Sequence, residues 1–164
     1  MIRITTDRLS ISQLTLDDTS FILELVNTPS WITHIGDRNI YSKEDAEKYL
    51  LQGPMLSYKQ FRFGLLRLAL HESDTPIGIC GLLKREELDY PDLGFALLPE
   101  FEGAGYGYES SIAVLGWARK ELGMQTVLAI TSHQNTRSQH LLTKLGFQLE
   151  QKEDTQLRFS ISLS

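Results

Sequence analysis

The chain has 164 residues, of which 41% are hydrophobic and 23% charged, and its formal net charge is -5. This length fits one domain with a sizeable core, and the composition is typical of a globular protein. No apolar run approaches the roughly 20 residues that span a bilayer, and no cluster of Lys or Arg indicates a nucleic-acid surface. We therefore expect a single domain over residues 1–164 that binds neither membrane nor nucleic acid.

The single cysteine, Cys80, excludes an internal disulfide, and the N-terminus lacks the apolar stretch of a signal peptide. Both features predict a cytoplasmic protein. Cys80 lies in the apolar segment IGICGLL, which favours a small core side chain over a nucleophile. His71, His133 and His140 lack the spacing of metal ligands, so we predict no metal site. The negative net charge is compatible with a cationic substrate.

The first half of the chain predicts two helices between strands. The segment RLSISQL alternates as a strand, and Thr15 and Asp18 have the spacing of a capping box that begins a helix. Residues 27–39, NTPSWITHIGDRN, break the helical pattern. The second helix covers EDAEKYLLQ and stops at Gly53 and Pro54. Two strands follow in FRFGLLRLALH and TPIGICGLLKR.

The second half alternates strands and helices. A short apolar strand covers Asp92 to Leu98, and a helix follows the glycine-rich segment EFEGAGYG and ends before Gly123. Four residues of that helix have core spacing: Ile112, Leu115, Ala118 and Leu122. A buried strand TVLAITS, a short helix TRSQHLLTKL and a C-terminal hairpin complete the chain. This order predicts an α/β fold, with a mostly antiparallel sheet of about six to seven strands and about four helices.

Gly103, Gly105 and Gly107 stand directly before the long helix. A helix N-terminus presents unpaired N–H groups, and glycines there let an anionic group approach the backbone, as in a phosphate site. A Walker loop requires Lys followed by Ser or Thr after its last glycine, and Tyr108 and Glu109 stand there instead. The glycine spacing of a dinucleotide site is also absent. A simple glycine-rich turn with a helix cap remains an alternative.

Three segments together resemble a known family. DLGFALLPEFEGAGYGYES resembles the acetyl-coenzyme A loop of the GNAT superfamily of N-acetyltransferases, in the branch of the ribosomal-protein-alanine (Rim-type) enzymes. NTRSQHLLTKLGF resembles the second cofactor motif of that family, and TDRLSISQLTLDD resembles the start of the branch. The resemblance covers nearly the whole chain. It implies a GNAT fold that transfers an acetyl group from acetyl-coenzyme A to a primary amine, by direct attack in a ternary complex without a covalent enzyme intermediate.

The resemblance also implies where the cofactor and the acceptor bind. The pyrophosphate would rest on backbone amides before the long helix, and the pantetheine arm would lie along the preceding strand. The residues expected to hold the cofactor are Ala96, Leu97, Leu98, Gly103, Ala104, Gly105, Tyr106, Gly107, Tyr108, Asn135 and Ser138. The candidate acceptor residues, between the first two helices, are Trp31, His34, Asp37 and Arg38. The acceptor would be a protein N-terminus or a small-molecule amine, and the enzyme a monomer or homodimer.

Acetyl transfer to an amine needs a base for the amine proton, donors for the oxyanion and a proton for the leaving thiolate. Asp92 is the candidate base, because it begins the strand along which the thioester would lie; an exposed aspartate in a turn is the alternative. Backbone N–H groups near Leu97 and Leu98 are the candidate oxyanion donors. The tyrosine acid of many family members falls at Leu142, so Ser138 is the candidate acid here, unless it serves only close packing.

Two departures from the family pattern leave other interpretations open. Glu102 stands where Gln or Arg is usual, and Leu142 replaces the acid. Glu102 would either repel a pyrophosphate or act as the partner of the helix dipole. A non-catalytic acyl-coenzyme A sensor on the same fold, and a different nucleotide-binding α/β enzyme, are therefore alternatives.

Overall fold

The computed structural model describes residues 1–164 and contains one eight-stranded sheet of order β1-β2-β3-β4-β5-β6-β8-β7. Its strands are β1 (Arg3–Thr5), β2 (Leu9–Gln13), β3 (Leu65–Leu70), β4 (Pro76–Leu83), β5 (Asp92–Leu97), β6 (Thr126–Ser132), β7 (Gln148–Lys152) and β8 (Gln156–Ser162). The helices are α1 (Thr19–Leu25), α2 (Pro29–His34), α3 (Lys43–Gln52), α4 (Pro54–Phe61), α5 (Tyr106–Leu122) and α6 (Thr136–Leu145). Only β5 and β6 pair in parallel. The predicted α/β class and mostly antiparallel sheet are confirmed, with more strands and helices than expected.

Two helices lie where the sequence pattern indicated breaks. Thr28 caps α2 by accepting a hydrogen bond from the Trp31 N–H, and Pro29 fits its first turn because that position needs no N–H donor. Pro54 likewise begins α4 directly after α3 ends. The sequence pattern predicts the end of a helical segment at each proline, whereas in the structure each proline starts a helix.

Helix α5 confirms its predicted span, and Leu115 and Ala118 are buried as predicted, but the buried face is shifted from the predicted one. Ile112 was expected in the core and is 46% exposed. Ser110 and Ser111 are instead fully buried, with Cys80 Sγ 3.8 Å from Ser111 Oγ. The buried stripe of α5 follows the spacing i, i+3, i+4, i+7: Ser111, Val114, Leu115 and Ala118. A hydrophobicity pattern does not predict which side of α5 is buried, because serines occupy part of the buried stripe.

The sheet has helices on both faces, and each face has its own apolar core. On one face α5 and α6 contribute Val114 and Leu142 to a cluster with Cys80 of β4. Burial raises the pKa of the Cys80 thiol to about 11, so this group stays protonated and structural, as expected. On the other face α1, α2 and α3 pack around residues such as Ile22 and Leu50. None of these helices has the length and apolar character needed to cross a membrane.

Strands β5 and β6 pair at one position only, with Asp92 opposite Leu128. There the Leu128 N–H donates to the Pro91 carbonyl at 2.9 Å. Beyond this position the two strands have no further paired residues, so each leaves an edge without a neighbouring strand. A gap therefore opens in the middle of the sheet, between its first five strands and its last three.

Close to the residue of β4 that pairs with Asp92, the backbone of Gly81 packs directly against the start of β3. A Cβ atom on Gly81 would overlap the carbonyl oxygen of Gly64, which accepts a hydrogen bond from the Leu82 N–H at 3.3 Å. The Gly64 carbonyl is a backbone group, and the position of a Cβ is fixed by its own backbone. No side-chain rotation can therefore relieve the clash.

We predict that Gly81→Ala lowers the free energy of unfolding by about 1–3 kcal/mol, measured by urea unfolding, because the strands must separate to admit the methyl group. Gly116→Ala is the matched control. Gly116 lies in α5, where a Cβ meets nothing within 4 Å. Alanine there should raise the free energy of unfolding by about 0.5–1 kcal/mol. Similar effects of the two substitutions would contradict this account of the β3–β4 contact.

Candidate active site

A continuous groove of ≈ 1050 Å³ occupies the gap between β5 and β6. Its walls come from α2, α3 and α4 on one face of the sheet, and from α5 and α6 on the other. The groove passes between the strands, where β5 lines it from Asp92 to Leu97 and β6 from Ala129 to Thr131. The divergence of two strands therefore creates one cavity that both faces of the sheet share.

The glycine-rich loop presents unpaired backbone donors to this groove. The amides from Gly103 to Tyr108 have no hydrogen-bond acceptor in the protein, and the first helical bond runs from the Glu109 N–H to the Gly105 carbonyl at 3.0 Å. Gly103 and Gly105 have φ angles of +80° and +87°, which favour glycine. Because Gly105 directly precedes α5, these donors lie at the positive end of the helix dipole.

Arg8 and Glu109 hold this loop in place. The Glu109 carboxylate accepts hydrogen bonds from Thr6 Oγ1 at 2.6 Å, the Arg8 N–H at 3.0 Å and Arg8 Nε at 2.7 Å. Arg8 Nη1 donates to the Ala104 carbonyl at 2.9 Å, and its guanidinium lies 4.3 Å from the centre of the Tyr106 ring. The Ala104 side chain does not line the groove, and the expected cofactor contact through its backbone N–H stays a prediction. No local pattern could have revealed contacts between such distant segments.

Two basic residues of α6 reach the same end of the groove. Arg137 forms an ion pair with Glu102, and Lys144 Nζ lies 4.3 Å from the centre of the Tyr108 ring. The Glu102 carboxylate is thus paired with Arg137, a contact that neither of its predicted roles included, and both roles stay predictions. Arg137 and Lys144 are seven residues apart and share one face of α6. The spacing of these two residues in the sequence is a signal for this shared face.

The backbone of β5 presents an open edge to the groove. The Leu98 N–H donates to the Ile77 carbonyl at 2.8 Å, so the even-numbered residues of β5 pair with β4. By alternation, the N–H and C=O groups of Phe95 and Leu97 point toward β6, and no strand pairs with them because β5 and β6 pair only at Asp92. The prediction that the Leu98 N–H donates to the oxyanion is wrong, because this N–H is already bonded to Ile77. The Leu98 side chain is buried, and its expected contact with the cofactor stays a prediction.

Asp92 lies where β5 and β6 separate, and its side chain is 2% exposed. Its carboxylate accepts a hydrogen bond from Arg85 Nε at 3.0 Å. Burial raises the pKa of Asp92 above its ordinary value of 3.8, the charge and hydrogen bond of Arg85 lower it, and the charge of Glu87 raises it. The alternative of an exposed turn residue is therefore wrong, and a buried, titratable carboxyl group lines the groove.

Helix α6 places Asn135 and Ser138 on the groove wall opposite β5. Asn135 Oδ1 accepts a hydrogen bond from the Ser138 N–H at 3.1 Å and caps the helix. The Ser138 hydroxyl has no hydrogen-bond partner in the protein, although the residue is buried. Leu142 is 1% exposed in the core, so the position of the family tyrosine offers no hydroxyl group.

Three of the four predicted acceptor residues line the groove: Trp31, His34 and Arg38. Trp31 is 4% exposed, and its Nε1–H finds no hydrogen-bond acceptor in the protein. His34 Nδ1 lies 3.4 Å from the hydroxyl of Ser132 at the end of β6, so α2 reaches across to the second half of the sheet. Asp37 does not line the groove. No group of three or more His, Cys, Asp or Glu side chains could hold a metal ion.

Comparison with known proteins identifies the family. Residues 8–148 match the model of the acetyltransferase (GNAT) domain, and the uncharacterised N-acetyltransferase YoaA of Bacillus subtilis is 26% identical over 147 residues, 88% of this chain and 82% of that protein. An acetyltransferase structure from Agrobacterium tumefaciens has a TM-score of 0.85 at 22% identity, covering 98% of this chain and 94% of that chain. RimL, a ribosomal alpha-N-protein acetyltransferase, has a TM-score of 0.84 at 14% identity, covering 98% of each chain. The chain belongs to the GNAT acetyltransferases, which confirms the predicted resemblance, and it is an N-acetyltransferase.

We predict that Glu109→Gln lowers the free energy of unfolding at pH 7 by about 1 kcal/mol, because its bonds to Thr6 and Arg8 lose their charge. Although burial raises the pKa of Glu109, the hydrogen bonds from Thr6 and Arg8 hold it below its usual value of 4.5. The stabilisation is therefore present above pH 4.5 and lost as the pH falls through the lowered pKa.

Urea unfolding of both proteins from pH 3 to pH 7 measures this effect, and the stability difference should shrink toward the acid end. Glu121→Gln, at an exposed glutamate of the same helix without a hydrogen-bond partner, is the control and should change little. A difference that stays constant over this pH range would refute the assigned role of Glu109.

Proposed function

We propose that this N-acetyltransferase moves the acetyl group of acetyl-coenzyme A to a primary amine by direct attack of the amine in a ternary complex. The acceptor is a protein N-terminal α-amine or a small-molecule amine. The observation that carries the proposal is the groove between β5 and β6, where the unpaired loop amides lie at one end of β5, the buried Asp92 at the other, and an unpaired strand edge between them. RimL is solved in complex with coenzyme A, and the acetyltransferase MccE, of similar fold, in complex with acetyl-CoA and AMP.

The groove residues fit the chemical groups of coenzyme A. The amides from Gly103 to Tyr108 would hold the pyrophosphate at the start of α5, because unpaired N–H groups and the helix dipole both favour an anion. Arg137 and Lys144 add positive charge at the same end. The open edge of β5 offers N–H and C=O groups to the amide-bearing pantetheine arm. Bound in this way, acetyl-coenzyme A supplies its acetyl group as a thioester.

The residues at the centre of the groove provide the proton transfers. Asp92 accepts a proton from the attacking amine, directly or through a water, and its raised pKa makes it a stronger base than an exposed aspartate. Unpaired N–H groups of β5 donate hydrogen bonds to the oxygen that gains negative charge. Ser138 donates a proton to the departing sulfur from the opposite wall, since its hydroxyl has no other partner.

Transfer itself is tested by mass spectrometry of an acceptor pool incubated with acetyl-coenzyme A. The pool contains peptides with varied N-termini, amino acids, polyamines and aminoglycosides. We expect an acetylated product that is lost in Gly105→Glu, because this change places a carboxylate among the loop donors. Coenzyme A binding without any product would favour the non-catalytic sensor instead.

Gly123→Glu is the matched control for this variant. Gly123 has a φ of +65°, follows the last residue of α5, and a Cβ there meets nothing within 4 Å. Both variants pay the cost of a non-glycine residue in a left-handed conformation, about 1–2 kcal/mol. Only Gly105→Glu should lose coenzyme A binding, measured by calorimetry. Equal loss of binding in both variants would remove the loop from the proposal.

We predict that Asp92→Asn lowers kcat by about 100-fold or more while the Kd for coenzyme A changes little, because only proton transfer is removed. The rate of the unsubstituted enzyme should fall as the pH drops through the raised pKa of Asp92, and this acid limb should vanish in the variant. Steady-state kinetics from pH 4.5 to pH 8 provide the measurement. Asp89→Asn, at an exposed neighbouring position, is the control.

The folding of Asp92→Asn can be checked independently by thermal unfolding. A raised pKa means that Asp92 contributes most to stability when protonated, below pH 3.8, and that this contribution is lost as the pH rises through the raised value. The neutral asparagine should therefore leave the protein folded at pH 7. An unchanged kcat and pH profile in a folded variant would exclude Asp92 as the base.

A further inference from the structure

We propose that the acceptor amine also carries a negatively charged group, a carboxylate or a phosphate, a few bonds from its nitrogen, together with an apolar part. This inference names the substrate class of the proposed acetyl transfer and rests on that function. It comes from the charged and apolar side chains that line the groove apart from its glycine-rich loop.

Positive charge dominates the groove although the whole chain has a net charge of -5. Its charged lining residues are the cations Arg38, Lys84, Arg85, Arg137 and Lys144 and the carboxylates Asp92 and Glu102. Each of the two carboxylates is already paired with an arginine. The groove therefore offers no unpaired carboxylate to a cationic substrate.

The cations divide between the two ends of β5. Arg137 and Lys144 lie at the loop end, where the pyrophosphate is proposed to bind. Lys84 and Arg85 directly follow β4, whose Leu83 pairs with Asp92 at the opposite end of β5. A six-residue strand separates the two ends by about 17 Å, so these two cations cannot serve the same phosphates.

The groove cations other than Arg137 and Lys144 have hydrogen-bond donors that no protein group uses. Arg38 and Lys84 form no ion pair in the protein, and Arg85 uses only Nε toward Asp92, which leaves both of its Nη atoms free. Because Arg85 contacts the candidate base, an anion on its Nη atoms would lie a few bonds from an amine that contacts Asp92. The unpaired Nε1–H of Trp31 is a further donor without an acceptor. Each of these unused groups donates hydrogen bonds, as an anion requires.

Apolar side chains of α4 and of the residue that follows α2 are also exposed along the groove. Ile35, Leu56 and Phe61 line it and are each 40% exposed, which is high for large apolar residues beside a cavity. An apolar part of the acceptor would cover them. An amino acid with an apolar side chain, an aminoalkyl phosphate with an apolar group, or a peptide whose second residue is acidic would satisfy both requirements. A polyamine would satisfy neither.

The test compares matched acceptors with and without the negative charge. Acetyl transfer is measured for leucine against leucinamide, phosphoethanolamine against ethanolamine, and the peptide Leu-Asp-Ala-amide against Leu-Lys-Ala-amide, with spermidine as the cationic acceptor. We expect kcat/KM to be at least tenfold higher for the charged member of a pair. The pair with the largest ratio then distinguishes a free amino acid, a phosphate ester and an acidic peptide as the source. Equal rates within every pair, or a preference for spermidine, would overturn the inference.

Variants provide a second readout that does not depend on turnover. Calorimetry measures binding of N-acetyl-leucine and N-acetyl-leucinamide to the complex with coenzyme A. We expect Lys84→Gln and Arg38→Gln to weaken the carboxylate form about tenfold and leave the amide unchanged, and the exposed Lys120→Gln to change neither. Trp31→Phe keeps an apolar ring and should weaken the carboxylate form alone. Acetylation of amines without charge preference would reject this inference and leave the proposed transfer standing, whereas no acetylation of any amine would reject both.

Discussion

The structure depends on the single position at which β5 and β6 pair. Had the two strands continued side by side beyond Asp92 and Leu128, their hydrogen bonds would have closed the sheet, and no groove would exist. Because they diverge, Phe95 and Leu97 of β5 retain free backbone groups along an edge inside the molecule rather than at its border. Unpaired backbone groups inside a protein cost free energy, and they are usually retained where a ligand pairs with them.

The other elements of the site follow from this divergence. The loop after β5 reaches the start of α5 with its amides unpaired, and the N-terminal segment holds the loop through Arg8 and Glu109. At the opposite end, Asp92 is buried at the junction of the two strands and pairs with Arg85. The groove thus has a donor-rich end and a titratable end, separated by the length of one strand. In the proposed function, this separation keeps the phosphate and the reacting amine apart, so that their charges do not interfere.

Much of the fold could be predicted because local patterns and tertiary structure agree in the second half of the chain. The span of α5 follows from its glycine-rich start and Gly123, and the strand at Asp92 follows from its apolar pattern. The predictions failed where the same residue type can either end a helix or begin one. Pro29 and Pro54 end one helical pattern and begin the next helix, and only packing distinguishes the two.

The candidate site was predictable only in part, for a different reason. Motifs identified the loop donors and Asp92, because these residues are adjacent in sequence to recognisable elements. Arg8, Arg85 and Arg137 each act through a partner on another element, and no pattern of a single segment encodes such a pair. Glu102 is an example: its charge alone predicts repulsion of a pyrophosphate, and the structure shows that Glu102 is paired with Arg137.

The divergence also divides the sheet mechanically. Strands β1 to β5 form one unit and β6, β8 and β7 another, and the direct strand pairing between them is confined to Asp92 and Leu128. The packing of α5 against α6 and the contact of His34 with Ser132 are further connections between the two units. A ligand that forms hydrogen bonds with β5 and also contacts α6 would connect the two units, as strand pairing does elsewhere in the sheet. Occupancy of the groove would therefore stiffen the last third of the chain, and amide protons of β6 and β8, far from any reacting atom, would exchange more slowly with solvent.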